Sequence, residues 1–126
     1  PATTGRARVL LVEDDPGVRD ATRMLLRVEG YQVTAVASLA DALTSAQQQG
    51  PPDLLITDYH LRDGELGTQV IAAVRENLHS ELKAVLVTGD TSTVVKHMPD
   101  DPRLRVVAKP IEAEQLLRVL GELLRT

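Results

Sequence analysis

Short aliphatic runs alternate with longer stretches of helical periodicity along almost the whole chain. The predicted strands are Arg8–Val12, Gln32–Val36, Leu54–Thr57, Ala84–Thr88 and Leu104–Ala108. Several of these runs are almost uninterrupted, as in strands that are buried on both faces. Parallel strands of this kind are connected by crossover helices. The alternation therefore predicts an α/β fold, an open and doubly wound parallel sheet of five strands with five helices.

Capping and helix-breaking residues mark the ends of the predicted helices. Asp15 before Pro16 fits the N-cap of the first helix, and Ser38 fits that of the second. The third helix is predicted over about Gly67–Leu78. The fourth should be short, near Thr91–His97, because the prolines that follow cannot continue a helix. Leucines at helical spacing predict a fifth helix that runs to the C-terminus.

Composition and charge exclude several classes of function. With 18 acidic and 14 basic residues, the chain has the wrong sign of charge for neutralising the phosphates of DNA or RNA. The absence of cysteine excludes thiol catalysis and cysteine-based zinc sites. The apolar runs are far shorter than the ~20 residues that span a bilayer. We expect one domain over residues 6–126, and we interpret residues 1–5 as a linker or a remnant of cloning.

Polar side chains stand where four of the predicted strands end. Glu13 and Asp14 follow the first strand, Asp58 follows the third, Thr88 ends the fourth and Lys109 follows the fifth. We expect them to share one crevice, because ligands of doubly wound sheets bind beyond the carboxyl ends of the strands. Crowded carboxylates repel one another unless a cation lies between them, and oxygen ligands suit Mg²⁺. Lys109 is a point charge for an aspartate or a phosphoryl oxygen.

Each of these residues also has a plainer structural interpretation. Asp15 is assigned to the helix cap and left out of the site. The alternatives are that Glu13 and Asp14 are solvated loop acids, that Asp58 is a turn or capping aspartate, and that Thr88 is an ordinary strand residue. The three histidines lack metal-ligand spacing and are interpreted as solvated. Gly64 and Gly67 are assigned to a turn. The glycine-rich phosphate loops, the zinc-protease motif and the hydrolase nucleophile motif are absent.

Taken in order, the motifs at the strand ends resemble those of the receiver domains of two-component response regulators. They are the acid pair Glu13-Asp14 after Val9–Val12, the single Asp58 after Leu54–Thr57, the pair Thr88-Gly89 and the pair Lys109-Pro110. The resemblance covers about Arg6 to Arg125, and it is the combination that is specific. It implies a flavodoxin-like sheet of order 2-1-3-4-5 in a cytoplasmic, monomeric domain that binds neither nucleic acid nor membrane.

The resemblance also implies residue roles. Asp58 would be the phosphoacceptor, and Thr88 and Lys109 would hold the phosphoryl oxygens. The implied cofactor is Mg²⁺, whose protein ligands would be Asp14 and Asp58 directly, Glu13 through water, and the backbone carbonyl of His60. The implied partner is a histidine kinase or a histidine phosphotransfer domain of a phosphorelay. The domain would catalyse its own phosphoryl transfer and its own dephosphorylation.

The chain departs from the receiver pattern at four places. The loop after Asp58 lacks the hydrophobic-proline turn, Val106 and Ile111 stand where aromatic residues are common, and the fourth helix looks truncated. We therefore expect a complete site but an altered output face. The loop after Asp58 and the Thr88-Gly89-Asp90 sequence resemble the receivers of hybrid histidine kinases.

Two alternatives remain beside the phosphoacceptor receiver. An Mg²⁺-dependent phosphohydrolase of the haloacid dehalogenase type also uses a strand-end aspartate, a threonine or serine and a lysine. That family needs a second acid two residues after the nucleophile, where this chain has His60. A degenerate receiver would act only as an interaction module, and the complete set of polar strand-end residues argues against it.

Overall fold

The computed structural model describes residues 7–90, 94, 96 and 100–125, and these form one α/β unit. Its strands are β1 (Arg8–Val12), β2 (Gln32–Val36), β3 (Leu54–Asp58), β4 (Lys83–Thr88) and β5 (Leu104–Ala108). Its helices are α1 (Pro16–Val28), α2 (Leu39–Gln49), α3 (Gly67–Leu78) and α4 (Ala113–Arg125). A 3-10 turn spans Arg62–Gly64. The helix predicted near Thr91–His97 lies outside the described residues, apart from Val94 and Lys96.

All strand pairs are parallel, and the sheet order is β2-β1-β3-β4-β5. The predicted fold class and strand order are therefore confirmed. The connection after β1 leads to β2 and the connection after β3 leads to β4, on opposite sides along the sheet, so the topological switch point lies between β1 and β3. Within the part of the chain described above, no helix combines the length and the apolar character that a membrane span requires.

Alternate residues of the strands pack on opposite faces of the sheet, as the geometry of a β-strand dictates. Val9 and Leu11 of β1 belong to one buried cluster with residues of α1 and α4. Leu10 and Val12 belong to a second cluster with residues of α2 and α3. Helices thus cover both faces, which explains why the central strands read as continuous apolar runs.

The predicted helix caps are present. Asp15 Oδ1 accepts hydrogen bonds from the amides of Gly17 at 2.9 Å and Val18 at 3.2 Å. Ser38 Oγ accepts one from the Asp41 amide at 3.2 Å. Each cap satisfies backbone donors that have no partner within the helix. Asp15 is therefore the N-cap of α1, as predicted.

Candidate functional site

The carboxyl ends of four strands carry the polar side chains on which the site depends. Glu13 directly follows β1, Asp58 is the last residue of β3, Thr88 is the last residue of β4, and Lys109 directly follows β5. β3 is one residue longer than predicted because Asp58 pairs with Val87 of β4. The phosphoacceptor candidate is thus held by the sheet itself.

Main-chain hydrogen bonds fix the backbone on which these side chains stand. The Tyr59 amide donates to the Val87 carbonyl at 2.8 Å, and the Lys109 amide donates to the Thr88 carbonyl at 2.8 Å. The Gly67 amide donates to the Tyr59 carbonyl at 2.7 Å. These bonds connect the ends of three strands and the start of α3 through groups that every non-proline residue possesses.

Three carboxylates converge at this edge of the sheet. Glu13, Asp14 and Asp58 each offer one oxygen, and these oxygens all lie within 4.8 Å of one another. Glu13 and Asp58 are only 4% and 9% exposed, whereas Asp14 is half-buried. Hard oxygen donors with partial solvent access suit a divalent cation that keeps some of its water. The donor set therefore fits a metal ion of the Mg²⁺ type.

Lys109 points into the same cluster. Its Nζ donates to Asp58 Oδ2 at 3.0 Å and to Glu13 Oε1 at 3.3 Å. Burial alone would lower the pKa of Lys109, but the hydrogen bond to Asp58 and the charge of Glu13 raise it above its ordinary value. Lys109 is therefore a fixed cation. The Lys109–Pro110 peptide bond is cis.

The carboxyl group of Glu13 is perturbed by its surroundings. Burial raises its pKa from 4.5 to about 6, and the charge of Asp58 adds to the shift. The Asp15 amide, which donates to Glu13 Oε2 at 3.2 Å, and the charge of Lys109 act in the opposite direction. Glu13 is thus a poorly solvated acid beside a second carboxylate, and a cation bound there would favour its ionised form.

Thr88 presents a buried hydroxyl at the end of the strand next to Asp58. Only 3% of Thr88 is exposed, and its Oγ1 accepts a hydrogen bond from the Asp90 amide at 3.1 Å. A hydroxyl that accepts one bond can still donate its own hydrogen to an anion. Thr88 is therefore oriented by its own loop.

The loop between β3 and α3 passes over the site. His60 makes a backbone bridge with Leu66, its side chain is exposed, and its ring lies edge-on to that of Tyr59. The ligand role of the His60 carbonyl stays a prediction. Gly64 has a φ of 76°. At Gly67 a Cβ would meet the Asp58 carbonyl oxygen and come within 2.6 Å of Leu86 Cδ1. Both glycines therefore serve this connection, as predicted.

Arg62 also lies in this loop, and no sequence pattern predicted a role for it. Its Nε lies 3.5 Å from Asp14 Oδ2. The signal that would have found it is the Asp63-Gly64 pair, a turn sequence directly after the arginine. Asp63 indeed adopts a left-handed conformation with φ 61°, and the chain turns back there beside the acidic cluster.

Comparison with known proteins is consistent with this geometry. Residues 9–121 match the family described as response regulator receiver domain. Sensor kinase CckA of Brucella abortus is 28% identical over 123 residues, which are 96% of this chain and 13% of that protein. Transcriptional regulatory protein KdpE of Mycobacterium tuberculosis is 32% identical over 93% of this chain and 50% of its own length. The chain thus spans half or less of these two curated relatives.

Solved structures give the same result. The receiver domain of hybrid histidine kinase CckA aligns with a TM-score of 0.77 and 28% identity, covering 93% of this chain and 98% of that one. A response regulator receiver protein from Sinorhizobium medicae aligns with a TM-score of 0.80 and 24% identity, covering 96% of both chains, which shows the shared fold. These findings give no support to the haloacid dehalogenase alternative.

Proposed function

Because this chain belongs to the response regulator receiver domain family of two-component signalling, we propose that it stores a phosphoryl group on Asp58. The observation that carries the proposal is the arrangement around this carboxylate. Asp58 ends a central strand, lies within 4.8 Å of two further acids, and accepts a hydrogen bond from Lys109 at 3.0 Å. A nucleophile, a candidate metal site and a fixed cation thus meet at one point.

Mg²⁺ is the cofactor in this proposal. Asp14 and Asp58 bind it directly, Glu13 binds it through water, and the backbone carbonyl of His60 completes the protein ligands. When bound, the ion neutralises the negative charge that develops on the transferring phosphoryl group. The oxygen-only donor set supports this assignment.

The chemical step requires positioning more than bond activation. One Asp58 oxygen forms a bond to phosphorus while the P–N bond of a phosphohistidine breaks, and the electron pair stays on the imidazole nitrogen. Lys109 and Thr88 hold the phosphoryl oxygens through the loose transition state. An ionised carboxylate needs no general base. In dephosphorylation, a water oxygen attacks the phosphorus while the P–O bond to Asp58 breaks and its electron pair stays on the Asp58 carboxylate, so inorganic phosphate leaves and the proton of the water passes to solvent.

The donor in this proposal is a histidine kinase or a histidine phosphotransfer domain, and an apolar groove beside the site supports a protein partner. The groove encloses about 380 Å³ and is lined by Val18, Leu25 and neighbouring residues of α1, together with Lys109, Pro110 and Ile111. Met24 and Val28 of α1 are 63% and 83% exposed. Because Lys109 lines both the groove and the site, a helix docked there would bring its phosphohistidine close to Asp58.

The experiment is phosphorylation by acetyl phosphate in the presence of Mg²⁺, followed by the intact mass of the protein. We expect the wild type and the control Asp41→Asn, at an exposed helix position, to gain one phosphoryl group, and Asp58→Asn to gain none. An unchanged wild-type mass, or a mass shift that survives Asp58→Asn, would overturn the proposal. Turnover of added phosphoesters without a stored group would indicate a phosphohydrolase instead.

A further inference from the structure

Arg62 and Asp14 form an ion pair at the mouth of the acidic cluster. Arg62 Nε lies 3.5 Å from Asp14 Oδ2, and the two side chains are 71% and 21% exposed. Asp14 is one of the three residues whose oxygens converge. The guanidinium group therefore contacts a carboxylate that the proposed metal ion also requires.

The backbone that carries Arg62 is fixed at several points. Leu61, directly before it, is 7% exposed and belongs to the buried cluster beneath α2 and α3. The Leu61 amide donates to the Glu65 carbonyl at 2.9 Å, and the Glu65 amide donates to the Arg62 carbonyl at 3.2 Å. Glu65 Oε1 accepts a hydrogen bond from the Leu39 amide at 3.1 Å. These bonds hold the backbone of Arg62 in place, so its side chain stays near Asp14.

Within residues 7–90, 94, 96 and 100–125, two other cations near the cluster contact groups other than the Asp14 carboxylate. Lys109 Nζ contacts Glu13 and Asp58. Arg19, a second arginine near the cluster, donates to the main-chain carbonyl of Glu13 at 2.9 Å. Arg62 is thus the cation whose charge is placed against the Asp14 carboxylate.

We propose that Arg62 is the counterion of Asp14 in the metal-free protein and competes there with the divalent cation, an inference that rests on the proposed function. Both positive groups require the same carboxylate and repel each other. Asp14 exchanges one for the other, so Arg62 weakens metal binding and shields the site when Mg²⁺ is scarce. Arg62 lies in the loop after Asp58, which lacks the hydrophobic-proline turn. Competition with the metal ion for Asp14 would therefore be specific to chains that carry a cation in this loop.

The test compares the dissociation constants for Mg²⁺ of the wild type, Arg62→Gln and Arg23→Gln, measured by isothermal titration calorimetry. Arg23 is a matched control because it also forms an exposed ion pair, with Asp20 at 3.6 Å, which lies outside the acidic cluster. We expect Arg62→Gln to bind Mg²⁺ roughly two- to fivefold more tightly than Arg23→Gln, the range that an exposed ion pair supports. The difference should shrink at high salt.

The outcomes separate this inference from the function on which it rests. Tighter binding by Arg62→Gln alone supports it, and damage to the fold does not mimic this result because a disordered site would bind more weakly. Equal or weaker binding by Arg62→Gln overturns the role of Arg62 and leaves the proposed function standing. Absence of Mg²⁺ binding in all three proteins would overturn both.

Discussion

Lys109 Nζ lies 3.0 Å from Asp58 Oδ2, so an ammonium group that follows β5 reaches across β4 to a carboxylate at the end of β3. The same ammonium group also contacts Glu13. Removing it would leave two carboxylates together without their cation. The contact therefore has a consequence for stability as well as for the proposed phosphoryl transfer.

Lys109→Met should lower the free energy of unfolding by about 1–2 kcal/mol in metal-free buffer, because two poorly solvated carboxylates lose a hydrogen-bonded cation. The Lys109 side chain is 31% exposed, so solvent keeps the loss below that of a fully buried pair. Urea unfolding measures the change. Lys96→Met, at an exposed position, serves as the control, and equal stability of the two variants would contradict the prediction.

The raised pKa of Glu13 predicts a pH dependence of stability. Its pKa is about 6 in the folded protein against an ordinary 4.5, so folding favours the protonated form. The resulting stability is present below pH 4.5 and is lost as the pH rises through about 6.

Glu13→Gln should abolish this loss, so the stability difference between wild type and variant should change by about 1–2 kcal/mol between pH 4.5 and pH 7 without metal. Chemical unfolding at several pH values checks it, with Glu114→Gln on the exposed first turn of α4 as the control. Saturating Mg²⁺ should reduce the dependence. A difference that stays constant with pH would be evidence against a buried acid at this position.

Gly67→Ala should be strongly destabilising because the new Cβ would overlap the Asp58 carbonyl oxygen and Leu86. Overpacking of this kind costs about 1–3 kcal/mol. At Gly89, in contrast, a Cβ would meet nothing within 4 Å, so Gly89→Ala is the matched control. Thermal melting distinguishes the two variants, and similar melting temperatures would mean that α3 can move away from β3.

The side chain of Val106 leads to a prediction of how far a conformational change extends from the site. It pairs with Leu86 of β4 and is half-buried, and as a short aliphatic side chain it has no ring that could swing when Thr88 moves. We expect beryllofluoride, which stands in for the phosphoryl group, to change amide exchange in the loops after β3 and β4 and to leave residues 112–125 nearly unchanged. Strong protection in that last segment, or dimerisation on phosphorylation, would contradict this expectation.

Local signals in the sequence were sufficient for most of the architecture. The caps at Asp15 and Ser38 and the third helix, Gly67–Leu78, agree with prediction because capping and periodicity act over a few residues. The strand ends were less well predicted. β4 begins at Lys83, one residue early, because this lysine pairs with Leu54 of the neighbouring strand. No local pattern contains that partner.

Long-range ion pairs were beyond the reach of sequence patterns. Arg75 Nη1 donates to Asp101 Oδ2 at 2.6 Å across 26 positions of the chain. Arg62 meets Asp14 only because Asp63 turns the loop back over the acidic cluster. By contrast, Glu13, Asp58 and Lys109 were found because parallel strands bring their carboxyl ends to the same edge. The positions of strand-end residues can therefore be predicted from the sheet topology, whereas the contacts of loop residues depend on the path of each loop.

Main-chain hydrogen bonds hold the backbone of the site: Lys109 is bonded to Thr88, Tyr59 to Val87 and Gly67 to Tyr59. The chemistry of the site therefore depends on side chains, whereas its backbone geometry does not. None of these hydrogen bonds uses a side chain, so replacing Asp58, Thr88 or Lys109 leaves them in place, even where it lowers stability, as expected for Lys109→Met. Evolution can therefore silence or retune such a site while keeping its shape. Under the proposed function, Asp58→Asn should therefore act as a decoy that still binds a phosphodonor protein but accepts no phosphoryl group.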